Sequence, residues 1–246
     1  MRVGTSGYQY RHWRNVLYPG GLAQRVWLAR YAQVFDAVEL NATFYRLPSR
    51  EAVDRWRDGT PPGFAFAVKG SRYLSHMKRL LDAAEGLRRF YEPVLRLGPK
   101  LGPVLWQLPP GASPDGERLA RFLAAQPPGV RCAVEFRDAA WYADAICDVL
   151  DAHGAAFCEH DAVARPPPRH TGGFRYLRFH GTTGRYSGRY GAAALRPVAA
   201  DLLDFARRGD AWVFFNNDLG GHAVRDAAEL LSLLGEPNRG AGLAAP

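Results

Sequence analysis

Phe64-Ala65-Phe66-Ala67-Val68-Lys69 alternates large apolar residues with small ones and ends on a lysine. A β-strand turns successive side chains to opposite faces, so Phe64, Phe66 and Val68 share one face and Ala65, Ala67 and Lys69 the other. A strand with one bulky face and one small face that turns polar at its C-terminal end suits the wall of a closed barrel, where one parity meets helices and the other fills the interior. Similar strand-length runs recur at Val3, Val38, Phe64, Val104, Arg131, Ala155, Tyr176 and Trp212. The beat is about 30 residues, the size of one strand plus a crossover helix.

Helical patterns lie between most of these runs. Residues 21–35 carry one apolar stripe through Leu22, Val26, Leu28, Tyr31 and Val34, while 144–153 and 195–208 each end at a glycine, Gly154 and Gly209. Ser113 before Pro114 reads as a helix N-cap followed by proline at the first helical position. Strand alternating with helix calls for a parallel sheet. Eight strands in 246 residues give a TIM-type (β/α)8 barrel as the expected α/β fold, with a doubly wound open sheet as the alternative. The stretch 162–173, with Pro166, Pro167 and Pro168, is too proline-rich for a helix, so the sixth crossover is expected to be irregular. No composition shift divides the chain. Residues 1–235 read as one barrel domain and 236–246 as a flexible tail.

The composition narrows the function classes. Apolar residues make up 47% and charged residues 23%, as in ordinary globular chains, and there is no long apolar run of membrane-spanning length or signal-peptide pattern. A cytoplasmic protein with no membrane partner is therefore expected. Cys132, Cys147 and Cys158 are an odd set without a C-x-x-C pair, which encodes neither a disulfide framework nor a structural zinc site. Lys and Arg exceed Asp and Glu by 32 − 24 = +8, and Lys69, Lys78 and Lys100 are the only lysines. Arginine grips phosphate through a planar fork, so the excess suits a phosphorylated small molecule or nucleic acid as partner; arginine-biased codon usage would give the same balance.

The strand ends carry the candidate chemistry. The alternation sets Glu39 and Asn41 opposite Val38 and Leu40, Gln107 opposite Trp106 and Leu108, Glu135 and Arg137 opposite Val134 and Phe136, and Arg178 and His180 opposite Leu177 and Phe179. It sets Glu159 and Asp161 opposite Cys158, while Asn216 and Asn217 close the eighth strand. Barrel enzymes build their active sites at this end. The expected catalytic set is Glu135 as general base, His180 as general acid or phosphate ligand, Glu39 and Asp161. Lys69, His76, Arg137, Arg178, Asn41, Gln107, Asn216 and Asn217 are expected to bind substrate or anion. Two loops on the same face add Tyr8 and Trp13, able to stack on a ring, and Arg185, Tyr186 and Arg189, able to grip an anion. Glu39 and Glu135 sit on the second and fifth strands, nearly across the barrel, which disfavours a retaining glycosidase. A zinc site would need more than one histidine among Glu39, Glu135, Asp161 and His180. No cofactor motif is evident, and a divalent ion such as Mg or Mn stays open.

These same segments carry a family resemblance. Gly4-Thr5-Ser6-Gly7-Tyr8 with Trp13 and Tyr18-Pro19, Glu39-Leu40-Asn41-Ala42-Thr43-Phe44-Tyr45, and Phe66-Ala67-Val68-Lys69 with Arg72-Tyr73-Leu74-Ser75-His76 resemble the YecE-like family, domain of unknown function 72. Gln107-Leu108-Pro109-Pro110, Glu135-Phe136-Arg137 with Trp141, Arg178-Phe179-His180-Gly181 and Phe215-Asn216-Asn217 agree. The resemblance implies a TIM-type barrel and supplies no reaction. The residues themselves lead to an enzyme acting on a phosphorylated or nucleic-acid substrate, a phosphodiester hydrolase similar in outline to endonuclease IV-like barrels. A sugar-phosphate isomerase or lyase, and a non-catalytic nucleic-acid binder, are the alternatives. Oligomeric state is not encoded legibly.

Overall fold

The computed structural model describes residues 1–184 and 186–236. Its strands are β1 (Arg2–Ser6), β2 (Ala37–Leu40), β3 (Ala65–Lys69), β4 (Leu101–Leu108), β5 (Cys132–Phe136), β6 (Ala156–Phe157), β7 (Glu159–His160), β8 (Phe174–Phe179) and β9 (Asp210–Phe215). All pair in parallel in the order β6-β5-β4-β3-β2-β1-β9-β8-β7. Cys158 alone separates β6 from β7, and its N–H reaches Val134 O at 2.9 Å. The two short strands are therefore halves of one: β6 pairs with β5, and β7 pairs with β8. Both ends of the sheet thus meet at this strand, which makes the nine strands an eight-membered TIM-type barrel.

The helices are α1 (Trp27–Tyr31), α2 (Ala42–Tyr45), α3 (Arg50–Asp58), α4 (Ala84–Val94), α5 (Gly116–Ala124), α6 (Asp144–Ala152), α7 (Gly191–Phe205) and α8 (His222–Leu233). The stripe over 21–35 yields only a 3-10 turn at Gln24–Val26 and the short α1, with Trp27 stacked on Tyr18 at 4.4 Å. Ser113 does not cap α5. Asp115 does, its carboxylate accepting from Arg118 N at 2.8 Å, because a carboxylate is the stronger acceptor for an exposed helical N–H. No helix forms in the sixth crossover. Thr171 ties that segment to the barrel edge, accepting from Phe157 N at 2.8 Å and donating to Ala155 O at 2.7 Å. Beyond Glu236 the expected tail lies outside the described residues.

The two strand parities build two cores. Phe66, Val68, Val104, Trp106, Val134, Phe136 and Phe215 meet the helices, each such residue adding about 1.5–3 kcal/mol when fully buried. Ala37, Ala65, Ala67, Leu105, Ala133, Cys158, Tyr176, Trp212 and Phe214 fill the interior. The alanines of β2, β3 and β5 leave the space that the rings of β8 and β9 occupy. Continuing the interior parity toward the C-terminal ends reaches Ser6, Glu39, Lys69, Gln107, Glu135, Arg178 and Asn216, all of them buried.

Candidate functional site

Arg178 stands at the centre of this polar layer with its side chain fully buried between two equally buried carboxylates. Its Nη1 lies 2.5 Å from Glu135 Oε2 and its Nη2 lies 2.7 Å from Glu39 Oε1. One guanidinium thus gathers two acids that strand order alone set nearly across the barrel. Ser6 joins them, accepting from Arg178 Nη2 at 3.0 Å and Asn41 Nδ2 at 2.7 Å while its hydroxyl donates to Glu39 Oε1. Tyr176 donates to Glu39 Oε2 at 2.6 Å. Glu135 Oε1 also accepts from Gln107 Nε2 at 2.6 Å and from Arg137 Nε.

Burial pushes both carboxyls up, but the donors outweigh it. Arg178, Ser6 and Tyr176 hold Glu39 below the ordinary carboxylate range, and Arg178, His180 and Arg137 hold Glu135 well below it. Both are locked anions. The expected role of Glu135 as general base meets an obstacle here, since each of its oxygens already accepts charge-assisted hydrogen bonds and its proton affinity is low.

His180 presents Nε2 to Arg137 Nη2 at 2.9 Å. A guanidinium only donates, so Nε2 accepts and the proton sits on Nδ1. The Asn216 amide, 3.0 Å from Nδ1, supplies the acceptor when its oxygen faces the ring. Burial pulls His180 down to about 4, with Glu135 opposing and Arg178 and Arg137 adding to the effect. An ordinary histidine near 6.5 takes its proton first in the unfolded chain, so this stability is complete above about pH 6.5 and falls as the pH drops toward 4. His180 alone accounts for roughly 3 kcal/mol of that loss. Urea midpoints at pH 7 and pH 4.5 measure it, and His180→Gln is expected to flatten the dependence; an unchanged slope would contradict a neutral buried ring.

Lys69 differs from its neighbours. Its ammonium lies 4.2 Å over the Phe44 ring and has no hydrogen-bonded partner among the described residues, while the backbone carbonyl of Lys69 accepts from Thr43 Oγ1 at 2.6 Å. Burial and Arg178 press it down to about 8 against the pull of Glu135 and Glu39. His76 meets the same Phe44 ring edge-on at 5.0 Å and hydrogen-bonds Ser75 Oγ through Nδ1. Burial, followed by Lys69 and Arg72, lowers His76 to about 4.

Asp161, expected among the catalytic acids, instead accepts the His180 backbone N–H at 2.9 Å and the Tyr190 hydroxyl, so it positions the chain after β8. The sixth strand runs in the opposite phase to the expected one: Cys158 faces the interior, and Glu159 faces outward to Arg175 at 2.7 Å. That phase carries His160 inward, where its ring lies 5.9 Å from that of His180, a residue the sequence reading missed.

Glu135, His160 and His180 each offer a ligand atom within 4.8 Å of the others. One carboxylate and two imidazoles is a set that zinc accepts, and His160 supplies the second histidine, but each of these ligand atoms is already engaged within the fold. His160 Nε2 is engaged with Phe136 O at 2.8 Å and its Nδ1 accepts from Ala162 N at 3.2 Å. His180 Nε2 is engaged with Arg137, and Glu135 is saturated by Arg178, Gln107 and Arg137. A mixed set with one carboxylate also lacks the oxygen ligands that Mg or Mn prefers.

The family follows from the whole chain. Residues 2–246 match the family model described as protein of unknown function DUF72. The chain belongs to the DUF72 family. It is 27% identical to the UPF0759 protein YunF of Bacillus subtilis over 89% of this chain and 90% of that one. It is 33% identical to the UPF0759 protein YecE of Escherichia coli K12 over 47% of this chain and 43% of that one. The crystal structure of a DUF72 family protein from Thermotoga maritima is similar with a TM-score of 0.85 at 30% identity, covering 96% of this chain and 99% of that one. A DUF72 family protein from Enterococcus faecalis shares the fold with a TM-score of 0.83 at 19% identity, covering 96% of both chains.

The loops of this DUF72 chain differ from the expectation. Trp13 is fully buried, its ring 4.8 Å from Tyr10 and its indole N–H on Asp218 O at 3.2 Å, and Tyr8 is buried too; hydrophobic packing has covered the faces expected to stack on a ligand. Arg189 is drawn to Asp226 at 3.6 Å and Glu229 at 3.7 Å. Asn217 serves the same anchor, donating to Asp226 Oδ2 and Gly188 O, both at 2.8 Å, rather than facing the mouth. Tyr186 stays near the site, its ring 6.2 Å from His180. Arg185 lies outside the described residues. No helix among the described residues is long and apolar enough to cross a membrane.

Proposed function

We propose that this DUF72 protein is an enzyme that takes a small phosphorylated substrate into the barrel mouth and works on it by acid/base chemistry. The charge count at the mouth carries the reading. Among its buried and half-buried groups Glu39 and Glu135 are matched by Arg178 and Arg137, and Lys69 remains over, a surplus of 3 − 2 = +1, while the exposed Asp161 at the rim is turned to the His180 N–H and the Tyr190 hydroxyl. Burying a cation without a partner is costly, and an incoming anion removes the cost. Arg137, with a side chain 20% exposed, is the guanidinium of the cup that an anion at the rim would meet first.

The engaged loops weigh against nucleic acid. Trp13 is already used inside the fold and the exposed Arg189 is paired with Asp226 and Glu229, which favours the sugar-phosphate isomerase or lyase reading over the phosphodiester hydrolase and over the non-catalytic binder. A hydrolase would also need a group to activate water, and in the Glu135–His160–His180 trio the ligand atoms are already held by Arg178, Phe136 O and Arg137.

Calorimetric titration with inorganic phosphate at low salt tests the reading. Wild type is expected to bind, and Lys69→Met and Arg137→Met are each expected to weaken binding at least tenfold, about 1.4 kcal/mol or more. Phosphate that binds both variants as tightly as wild type, or that does not bind at all, would sink the proposal.

A further inference from the structure

Lys69 stands out among the charged groups of the mouth because its nitrogen makes no hydrogen bond or ion pair with any described residue. Arg178 makes three polar contacts, to Glu135, Glu39 and Ser6, through its two terminal nitrogens. Arg137 bridges Glu135 and His180. The Lys69 nitrogen has only an aromatic face beneath it. It is not among the fully enclosed polar atoms that lack a partner, so with the residue 9% exposed its amine keeps an opening to solvent.

We propose that Lys69 is a covalent nucleophile that forms an imine with an aldehyde or ketone group of the substrate. This inference rests on the reading above and narrows it, from a phosphorylated molecule to one that also bears a carbonyl. The cup supplies what such a lysine needs. Neighbouring arginines and low solvent access favour the neutral amine, which is the nucleophilic form, and Lys69 falls to about 8, where a usable fraction is unprotonated near neutral pH. The Phe44 ring fixes the amine without accepting a hydrogen bond that attack would have to break. Its hydrogen-bonding capacity is therefore free for the carbonyl.

The step balances without a redox partner. The Nζ lone pair attacks the carbonyl carbon, the carbonyl oxygen takes up protons and leaves as one water, and Nζ gives up both of its hydrogens in forming the C=N bond. Protons are exchanged with water at the open mouth. The imine nitrogen then takes one proton back from water, and the resulting iminium withdraws electrons from the adjacent carbon, which is how isomerases and lyases of carbonyl compounds loosen a C–H or C–C bond.

The other two lysines provide internal controls. Lys78 is half-buried and 3.9 Å from Asp82, and Lys100 donates to Arg57 O at 2.5 Å and Thr60 O at 2.6 Å. The purified protein is incubated with glyceraldehyde 3-phosphate, and separately with glyceraldehyde, in the presence of sodium cyanoborohydride, and the adduct is located by peptide mass spectrometry. Phosphate binding is measured on the same preparations. Labelling is expected at Lys69 at least tenfold faster than at Lys78, Lys100 or the amino terminus, faster with the phosphorylated aldehyde, and rising from pH 7 to pH 9. Lys69→Arg keeps the charge and is expected to bind phosphate yet lose the adduct; Lys69→Met is expected to lose both. Phosphate binding with label absent from Lys69, or spread according to exposure, overturns the imine and leaves the anion reading standing. Label at Lys69 with no phosphate binding and no preference for the phosphorylated aldehyde supports the imine and overturns the anion reading. Neither label nor binding overturns both.

Discussion

Arg178→Met is expected to cost about 3–5 kcal/mol of folding free energy, the range found when one partner of a buried ion pair is removed. The guanidinium side chain is fully buried, as are Glu39 and Glu135, and it is the cation that touches both; Arg137 reaches Glu135 alone and Lys69 forms an ion pair with neither. Methionine fills most of the length but leaves Glu39 with neutral donors alone and Glu135 with only Arg137 to offset its charge. For a domain of this size the loss corresponds to a fall in Tm of roughly 10 °C. The matching triple variant, Arg178→Met with Glu39→Gln and Glu135→Gln, removes all three charges and is expected to recover most of the stability. Urea unfolding of both variants decides the matter. If the single variant is as stable as wild type, the three side chains do not form the buried cluster described, and if the triple variant is no better than the single one, the loss comes from packing rather than from charge.

Gly70→Ala is expected to destabilise the protein by about 1–3 kcal/mol, the range for overpacking a filled core, and to weaken phosphate binding as well. A methyl group at this position would lie inside the ring of Trp106. The indole cannot retreat, because it is fully buried with Phe90 at 5.2 Å and Phe122 at 4.9 Å. The strain is relieved instead by moving the end of β3, and Gly70 directly follows Lys69. A variant with full stability and full phosphate affinity would show that β3 and Trp106 pack more loosely than described.

The fold was legible because barrel strands write their two faces in alternation. Phe64 to Lys69 shows this most plainly, and its parity continues correctly through Glu39, Gln107, Glu135 and Arg178. The sixth strand was misread for a physical reason. Ala155 to Cys158 is apolar on both parities, so the charged Glu159 was taken as inward, whereas its partner Arg175 waits outside on β8. A pairing between residues 16 positions apart leaves no local trace. His160 was lost with the same error. Ser6 and Tyr176 were readable in principle, since they share the inward parity of their strands, but neither residue type draws attention without its carboxylate partner in view. The aromatic loop after β1 was overread. Tyr8 and Trp13 resemble a stacking platform in sequence, and only tertiary packing shows that the core has claimed both.

The one-residue interruption at Cys158 has a mechanical consequence. Two residue pairs join β5 to β6 and two join β7 to β8, whereas six join β8 to β9. The backbone ring is therefore laced by the fewest residue pairs along this seam. Side chains bridge what the backbone leaves thin: Arg178 on β8 reaches Glu135 on β5 and Arg137 reaches His180, so the charged groups of the mouth also fasten the ring on this side.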